Sequence, residues 1–290
     1  MTQPFCLESP AAYAAWRSRK LATRPRSVGE LIVEIHDPRR ITPTERAALL
    51  DRIGRCNMAL YASPALEEDP QLLRQLGEQI GLRCLDANWL SGEDGISKIS
   101  VHPTGTTMTY IPYTDRPIKW HTDGYYNPPE RLIQGMLLHC VRSAEEGGEN
   151  QLMDHELAYL RLRDQNPEHI RALMAPDAMV IPERAEELDG LRPPQAGPVF
   201  SCPESGQLHM RYTARTRSIA WKQESRTQEA IAALEHLLAD PLPGDAFRVL
   251  LKPGMGLLCN NVLHDRSGFR ETPERPRLLY RARYLDRIRV

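Results

Sequence analysis

This sequence has no closely spaced cysteines. Its six, at positions 6, 56, 84, 140, 202 and 259, make no Cys-x-x-Cys spacing of the zinc or redox kind. A chain of 290 residues can bury a core large enough to dispense with a disulfide frame, so buried or idle thiols are expected. No apolar run approaches bilayer length. Met1 to Lys20 also lacks an apolar stretch behind positive charges. Neither a membrane span nor a secretory signal is therefore expected, and the expected location is cytoplasmic. Net charge is only −1 and there is no basic tract, which removes the usual field for nucleic acid or an anionic membrane. Lysine is scarce, at five against 32 arginines, a skew that reads as composition and not as a task. No repeat, low-complexity tract or composition shift marks a boundary, so residues 1–290 read as a single domain.

The patterning present is mixed. Apolar residues at helical spacing predict helices over 44–61 (Ala47, Leu50, Ile53, Met58), 70–82 (Leu72, Leu73, Leu76, Ile80), 154–174 with a break at Asn166-Pro167, and 225–239 (Ile231, Leu234, Leu237, Leu238). Short runs bounded by Gly, Pro and Asp predict strands over 96–101, 108–111, 133–141, 150–153, 199–201, 207–212, 247–251, 256–260 and 277–284. Many short strands with helical insertions indicate an α+β, mainly β protein built on an antiparallel sandwich or jelly roll. Roughly the first 90 residues read as mainly helical decoration. Residues 192–198 read as a loop, and 181–198, rich in proline and acidic side chains, as a candidate lid.

The chemistry concentrates at Trp120-His121-Thr122-Asp123-Gly124 and at Asn260-Asn261-Val262-Leu263-His264-Asp265-Arg266. His121 and Asp123 are two apart, and on an extended strand such residues point to one side. Two imidazoles and one carboxylate cover one face of an octahedral ion and leave the other open, a grip suited to non-haem Fe(II). By itself a His-x-Asp is weak, since nine histidines and 38 acidic residues produce one by chance. Beyond His264 comes Pro276-Arg277-Leu278-Leu279-Tyr280-Arg281, where Arg277 and Arg281 share a strand face with Leu279. An inward guanidinium has a natural partner in a carboxylate, gripped bidentately.

Taken in order, these segments resemble the TauD/TfdA family of Fe(II)- and 2-oxoglutarate-dependent dioxygenases. The resemblance runs from about Ile96 to Tyr284. It includes Thr114-Asp115-Arg116-Pro117, Leu138-His139-Cys140, Gly147-Gly148-Glu149-Asn150 followed by Asp154, and the Asn-Asn-Val-Leu-His-Asp-Arg segment. Locally the pattern looks most like the γ-butyrobetaine hydroxylase branch. The resemblance implies a double-stranded β-helix with packing helices, iron on His121, Asp123 and His264, and Arg277 on the distal carboxylate of the cosubstrate 2-oxoglutarate. It further implies O2 as second cosubstrate, release of succinate and CO2, and hydroxylation of a C–H bond. Asp123 stands where halide-transferring relatives have no carboxylate, which favours hydroxylation. One departure is visible: relatives place a threonine on the cosubstrate carboxylate where this chain has Asn150, whose amide has a donor for the same role.

The remaining candidates are weighed against plainer readings. Arg211, in His209-Met210-Arg211-Tyr212, is a candidate for an anionic substrate group, or else part of a charged loop. Arg281, Tyr113 and Tyr125 are further substrate-binding candidates; with Tyr110 and Tyr126 the tyrosines would wall a pocket or cage a cation, or simply pack. His102, His139, His155 and His209 lack ligand partners in the pattern; His139 reads as a core histidine and His155 as part of a helix start. The expected function is hydroxylation of a small polar, carboxylate-bearing metabolite, with no nucleic-acid or membrane partner and with homo-oligomer formation left open. Three alternatives stand beside it: the same chemistry on a macromolecule, a catalytically silent jelly roll sensing iron or 2-oxoglutarate, and zinc hydrolysis, which suits two histidines and an aspartate less well.

Overall fold

The computed structural model describes residues 4–86, 92, 94–101, 110–186, 190–203 and 206–290. His102 and the first half of the 108–111 run lie outside them. Among the described residues six α-helices occur: α1 (Pro10–Thr23), α2 (Pro43–Cys56), α3 (Gln71–Gln79), α4 (His155–Gln165), α5 (Pro167–Leu173) and α6 (Ser225–Ala239). Among the described residues, none is long and apolar enough to cross a membrane.

Capping sets the helix limits. Thr42 accepts the Glu45 N–H and the Glu45 carboxylate accepts the Thr42 N–H, a reciprocal box that starts α2. Asn57 ends it in the left-handed region at φ 59°. The helix expected over 44–61 is therefore shorter, and Met58–Ala62 turns into a strand. Asn166 closes α4 and caps α5 through its side chain, which accounts for the break seen at Asn166-Pro167. Helix α6 has the bounds the periodicity predicts.

Two antiparallel sheets carry the architecture. The larger runs, in spatial order, Ile32–Glu34, Met58–Ala62, Met255–Cys259, Gly135–Arg142, Leu278–Tyr284 and Ser97–Ile99, antiparallel except for its first pair. The smaller runs Ala246–Val249, Asn150–Met153, Leu263–Arg266 and Ile118–His121. Side chains alternate across a strand, so each sheet feeds two apolar layers. Between the sheets lie Met58, Leu60, Met136, Leu138, Cys140, Leu257, Cys259 and Leu279 facing Leu152, Phe247, Val249 and Val262. The outer face of the large sheet offers Tyr61, Leu137, Leu258, Leu278, Tyr280, Ala282 and Tyr284 to Leu49 and Ile53 of α2 and Leu72, Leu73 and Leu76 of α3. A third layer joins α4, α5 and α6 to Met153 and Leu263, with Phe5 and Trp16 from the N-terminal segment. The molecule is thus mixed and mainly β.

Two expectations change. The first 90 residues are more than helical decoration, because Ile32–Glu34 and Met58–Ala62 are strands of the large sheet. Residues 181–198 are also not a plain loop: Arg184–Glu186 pairs with Gly190–Arg192, and Gln195–Gly197 pairs with Met179–Ile181. Arg192-Pro193-Pro194 marks the step between the two pairs, since proline withholds the N–H a ladder needs.

Candidate metal centre

The small sheet places the histidines. His121 ends the strand Ile118–His121, and His264 lies directly opposite it in Leu263–Arg266. Opposed residues share a face and stand close, and the two ring centroids are 4.2 Å apart. Each ring is oriented from its own strand: His121 Nδ1 lies 2.9 Å from the Lys119 carbonyl and His264 Nδ1 2.9 Å from the Val262 carbonyl. A carbonyl accepts only, so both Nδ1 atoms carry the proton and both Nε2 lone pairs are free for a ligand bond.

Asp123 arrives by a different route from the one its spacing suggests. The strand stops at His121, and side chains rebuild what strand alternation would have supplied. Thr122 N–H donates to the Tyr212 carbonyl, and its hydroxyl accepts the Tyr212 N–H. Asn261 then holds the Asp123 peptide from both ends: Oδ1 accepts the Asp123 N–H at 2.8 Å, and Nδ2 donates to the Asp123 carbonyl at 2.9 Å. Asn261 sits in the left-handed region at φ 50°, which asparagine tolerates better than most residues. The outcome is a carboxylate whose Oδ1 is 3.6 Å from His121 Nε2 and 3.9 Å from His264 Nε2. One ligand atom from each of the three residues lies within 4.8 Å of the others. Asn261 was missed as a positioning residue, although it stands inside the segment that carries the resemblance.

The electrostatics suit a cation. Burial alone would raise the Asp123 carboxyl, but Arg281, His121, Arg283 and His264 outweigh it and hold it well below the usual carboxylate range. Burial, with His121 alongside, brings His264 down to about 3, so the ring is neutral and its Nε2 is available. Two nitrogens and one carboxylate oxygen gathered on one side fit a ferrous ion that keeps open positions.

The strand Leu278–Tyr284 supplies the inner wall. Leu279 points into the layer between the sheets, and Arg281 and Arg283 follow on the same face. Arg281 Nη1 hydrogen-bonds Asp123 Oδ1 at 3.4 Å and lies 3.2 Å from Oδ2. Arg283 pairs with Asp86 at 2.7 Å and donates to the Tyr126 hydroxyl at 2.9 Å. It too was missed, though one more step of the period that linked Arg277 to Arg281 reaches it. Arg277, just before the strand, is 5% exposed. Its guanidinium stacks over Phe269 at 4.8 Å and has no hydrogen-bond or ion-pair partner among the described residues. Burial lowers its pKa accordingly. Gly148, at φ 77°, lies beside it: a Cβ there would sit 3.4 Å from Arg277 Nε.

Other candidates fall elsewhere. Arg211 is spent on main chain, donating to the carbonyls of Tyr125 (2.6 Å), Gln195 (2.9 Å) and Ala196 (3.3 Å). These bonds tie the Gln195–Gly197 strand to the turn after Asp123. Asn150 donates Nδ2 to the Asp265 carbonyl at 2.7 Å, and its buried Oδ1 is without a partner. One of the two Nδ2 hydrogens is thereby used, and the other is left for the role suggested for the amide. Tyr113 is buried at the end of the short turn Ile111–Tyr113. Tyr125 stands edge-on to Tyr126 at 5.2 Å and packs against the helical layer. His139 is a core histidine on the outer face, its Nδ1 2.9 Å from the Tyr61 hydroxyl and its Nε2 unpartnered. His155 follows the cap Asp154, with Nε2 on the Leu208 carbonyl. His209 is buried, and burial brings it to about 3.

The sequence model of the family described as "Taurine catabolism dioxygenase TauD, TfdA family" matches residues 66–283. The chain belongs to the TauD/TfdA family. That TauD/TfdA span holds all nine residues named from the sequence as site candidates. A uridine-5'-phosphate dioxygenase from Amycolatopsis sp is 30% identical over 175 residues, 59% of this chain and 62% of that protein. One from Streptomyces sp is 30% identical over 198 residues, 62% of this chain and 68% of that protein. The chain thus spans somewhat under two thirds of the first relative's length. Among solved structures, the non-heme iron oxygenase OrfP in complex with Fe and alpha-ketoglutaric acid superposes with a TM-score of 0.60 at 17% identity, covering 96% of this chain and 92% of that one. The likeness to the γ-butyrobetaine branch has no support in these relatives and stays a local resemblance of motif.

Proposed function

We propose that this protein is an Fe(II)- and 2-oxoglutarate-dependent dioxygenase that hydroxylates a C–H bond of a small, polar, anionic metabolite, with release of succinate and CO2. One observation carries the reading: three metal-ligand atoms with free lone pairs share the space between the sheets with a buried guanidinium, Arg277, that lacks an anion. An unpaired buried charge is costly and is retained where a ligand neutralises it.

In this reading residues 1–290 form a single dioxygenase domain with a jelly-roll core. His121, Asp123 and His264 hold the iron, and the bound ion supplies the O2 and redox chemistry. Arg277 takes the distal carboxylate of 2-oxoglutarate, with Gly148 leaving room beside its Nε. Arg281 stays on the Asp123 carboxylate, whose Oδ1 is presented to the two Nε2 atoms, and turns its remaining N–H groups to substrate. Tyr113 and Tyr125 belong to the walls. Two relatives that act on uridine-5'-phosphate favour a phosphorylated substrate over the carboxylate expected from the sequence.

Anaerobic titration with Fe(II) and 2-oxoglutarate tests the assignment. A weak visible charge-transfer band is expected, absent in His264→Ala and shifted to much higher 2-oxoglutarate in Arg277→Ala. Iron demonstrably bound without any band in the wild type would refute the cosubstrate. Substrate-stimulated succinate separates an enzyme from a sensor.

A further inference from the structure

Several guanidiniums among the described residues stand near the turn that follows Asp123, and they are not alike; Arg131 shares Asp86 with Arg283. Arg281 and Arg283 are matched by carboxylates, Asp123 and Asp86. Arg211 has no carboxylate but donates once from each of its three nitrogens to a main-chain carbonyl. Arg192 has neither a carboxylate partner among the described residues nor a set of carbonyls like that of Arg211. It ends the strand Gly190–Arg192, and its Cζ lies 5.2 Å from the centroid of the Tyr126 ring. Its single hydrogen bond is a long one, from Nη2 to the Pro182 carbonyl at 3.3 Å, and its Nε is buried without a partner.

The surroundings hold this arginine ready. Tyr126 is three residues beyond the metal carboxylate, and its hydroxyl already accepts from Arg283 at 2.9 Å. Its own proton is therefore left to donate. Arg211 fixes both sides of the contact, since it ties residues 195 and 196, close behind Arg192, to the carbonyl of Tyr125. A guanidinium lying over an aromatic ring keeps its in-plane N–H edge for a ligand, and that edge matches two oxygens of a phosphate. Arg192 and Arg211 together leave two positive charges without a carboxylate among the described residues, and a phosphate monoester carries nearly two negative charges at neutral pH.

We infer that Arg192 and Tyr126 form a phosphate-monoester subsite of the substrate pocket, with Arg192 gripping the phosphate edge-on and the Tyr126 hydroxyl donating to it. The inference rests on the dioxygenase reading and names the substrate class for that site. Arg211 is a positioning residue here.

The test compares uridine-5'-phosphate with uridine on Fe(II)- and 2-oxoglutarate-loaded protein without O2, by equilibrium dialysis and by perturbation of the visible band. The wild type is expected to prefer the phosphate ester by roughly 10- to 100-fold, the worth of a charge-assisted hydrogen-bonded contact. Arg192→Gln should collapse that preference. Arg192→Lys should restore only part of it, because lysine keeps the charge and loses the fork. An unchanged 2-oxoglutarate requirement in both variants shows the fold and cosubstrate site intact. A preference that survives Arg192→Gln and disappears in Arg281→Gln would move the phosphate to Arg281 and overturn the subsite. No preference in the wild type would overturn it as well. Dialysis reads the preference whether or not a band forms, so loss of the band alone refutes the reaction and not the subsite.

Discussion

The two faces of the strand Leu278–Tyr284 are built from alternate residues of one heptapeptide and do opposite work. Outward, Leu278, Tyr280, Ala282 and Tyr284 fill an apolar layer beneath α2 and α3. Inward, Leu279 gives way to Arg281 and Arg283, and these meet Asp123, Asp86 and Tyr126. Burying apolar surface stabilises a fold, by about 25 cal/mol for each Å² removed from water. Burying guanidiniums costs free energy even when they are paired. The outer face is thus where this sheet gains stability, and the inner face is where it gives stability up for a site. Gly256, two strands away in the same sheet, shows how tightly the outer face is filled: a Cβ there would stand 2.3 Å from the Tyr61 ring.

Substitutions on the two faces should therefore fail in different ways. The largest effect belongs to the inner space. His264→Ala removes one of the three proposed ligands, and succinate formation should fall to background while the thermal unfolding midpoint of the metal-free protein stays within a few degrees of wild type. Near-normal turnover in that variant would refute the assigned centre. On the outer face, Tyr284 is 1% exposed, donates its hydroxyl to the Leu73 carbonyl and presses on Gly77. Tyr284→Ala should cost about 3–5 kcal/mol of stability, as aromatic truncations in cores do. Below its melting temperature the variant should still bind iron and 2-oxoglutarate. A fully stable Tyr284→Ala, or a folded one that has lost the centre, would erase the distinction between the faces.

Much of this contrast was legible in the sequence because period-two alternation survives reading by eye. Leu279 between Arg277 and Arg281 announced an inward face, and His121 with His264 marked the candidate metal centre. What escaped was whatever side chains build after regular structure stops. The i, i+2 rule for His121 and Asp123 assumes a strand, yet the strand ends at His121, and Asn261 and Thr122 bring the carboxylate into place. Arg211 stayed open between an anion receptor and a charged loop, because nothing in a sequence tells whether a guanidinium will be used on backbone carbonyls. Met58 fitted a helical spacing until a left-handed Asn57 ended the helix. The hairpin that carries Arg192 was read as a loop, since short strands flanked by prolines lack the alternation on which a strand assignment rests.

Arg277 sharpens the comparison, because it separates stability from binding at a single residue. The guanidinium is buried and unpaired, so exchange for a flexible apolar side chain removes a desolvation cost. Arg277→Met should leave the apoprotein as stable as wild type, or more so. If Arg277 is the far-end cation proposed for 2-oxoglutarate, the same change should raise the concentration needed for half-saturation by roughly 100-fold, the scale of a lost buried charge pair. Denaturant midpoints without ligand, beside 2-oxoglutarate titrations, read both. A variant that lost stability and kept its affinity would make Arg277 an ordinary structural residue.

The smallest effect tests whether the outer face is as free of charge as its composition suggests. His139, wholly buried there, keeps one nitrogen on the Tyr61 hydroxyl, and burial, little offset by its neighbours, brings the ring to about 4. In the unfolded chain it titrates near 6.5, so between those values the unfolded state binds the extra proton. The contribution of a neutral His139 is complete above about pH 6.5 and is lost as pH falls toward 4, up to about 3 kcal/mol. Other buried histidines, His209 among them, add to the wild-type slope in the same direction, so only the difference from a variant isolates this ring. His139→Leu should be slightly less stable than wild type at pH 8, where Tyr61 loses its partner, and should overtake it by pH 4.5. Urea midpoints at pH 8, 6 and 4.5 decide the matter: parallel curves for the two proteins would mean that His139 charges in the folded state, and the outer face would then tolerate a cation as the inner one does.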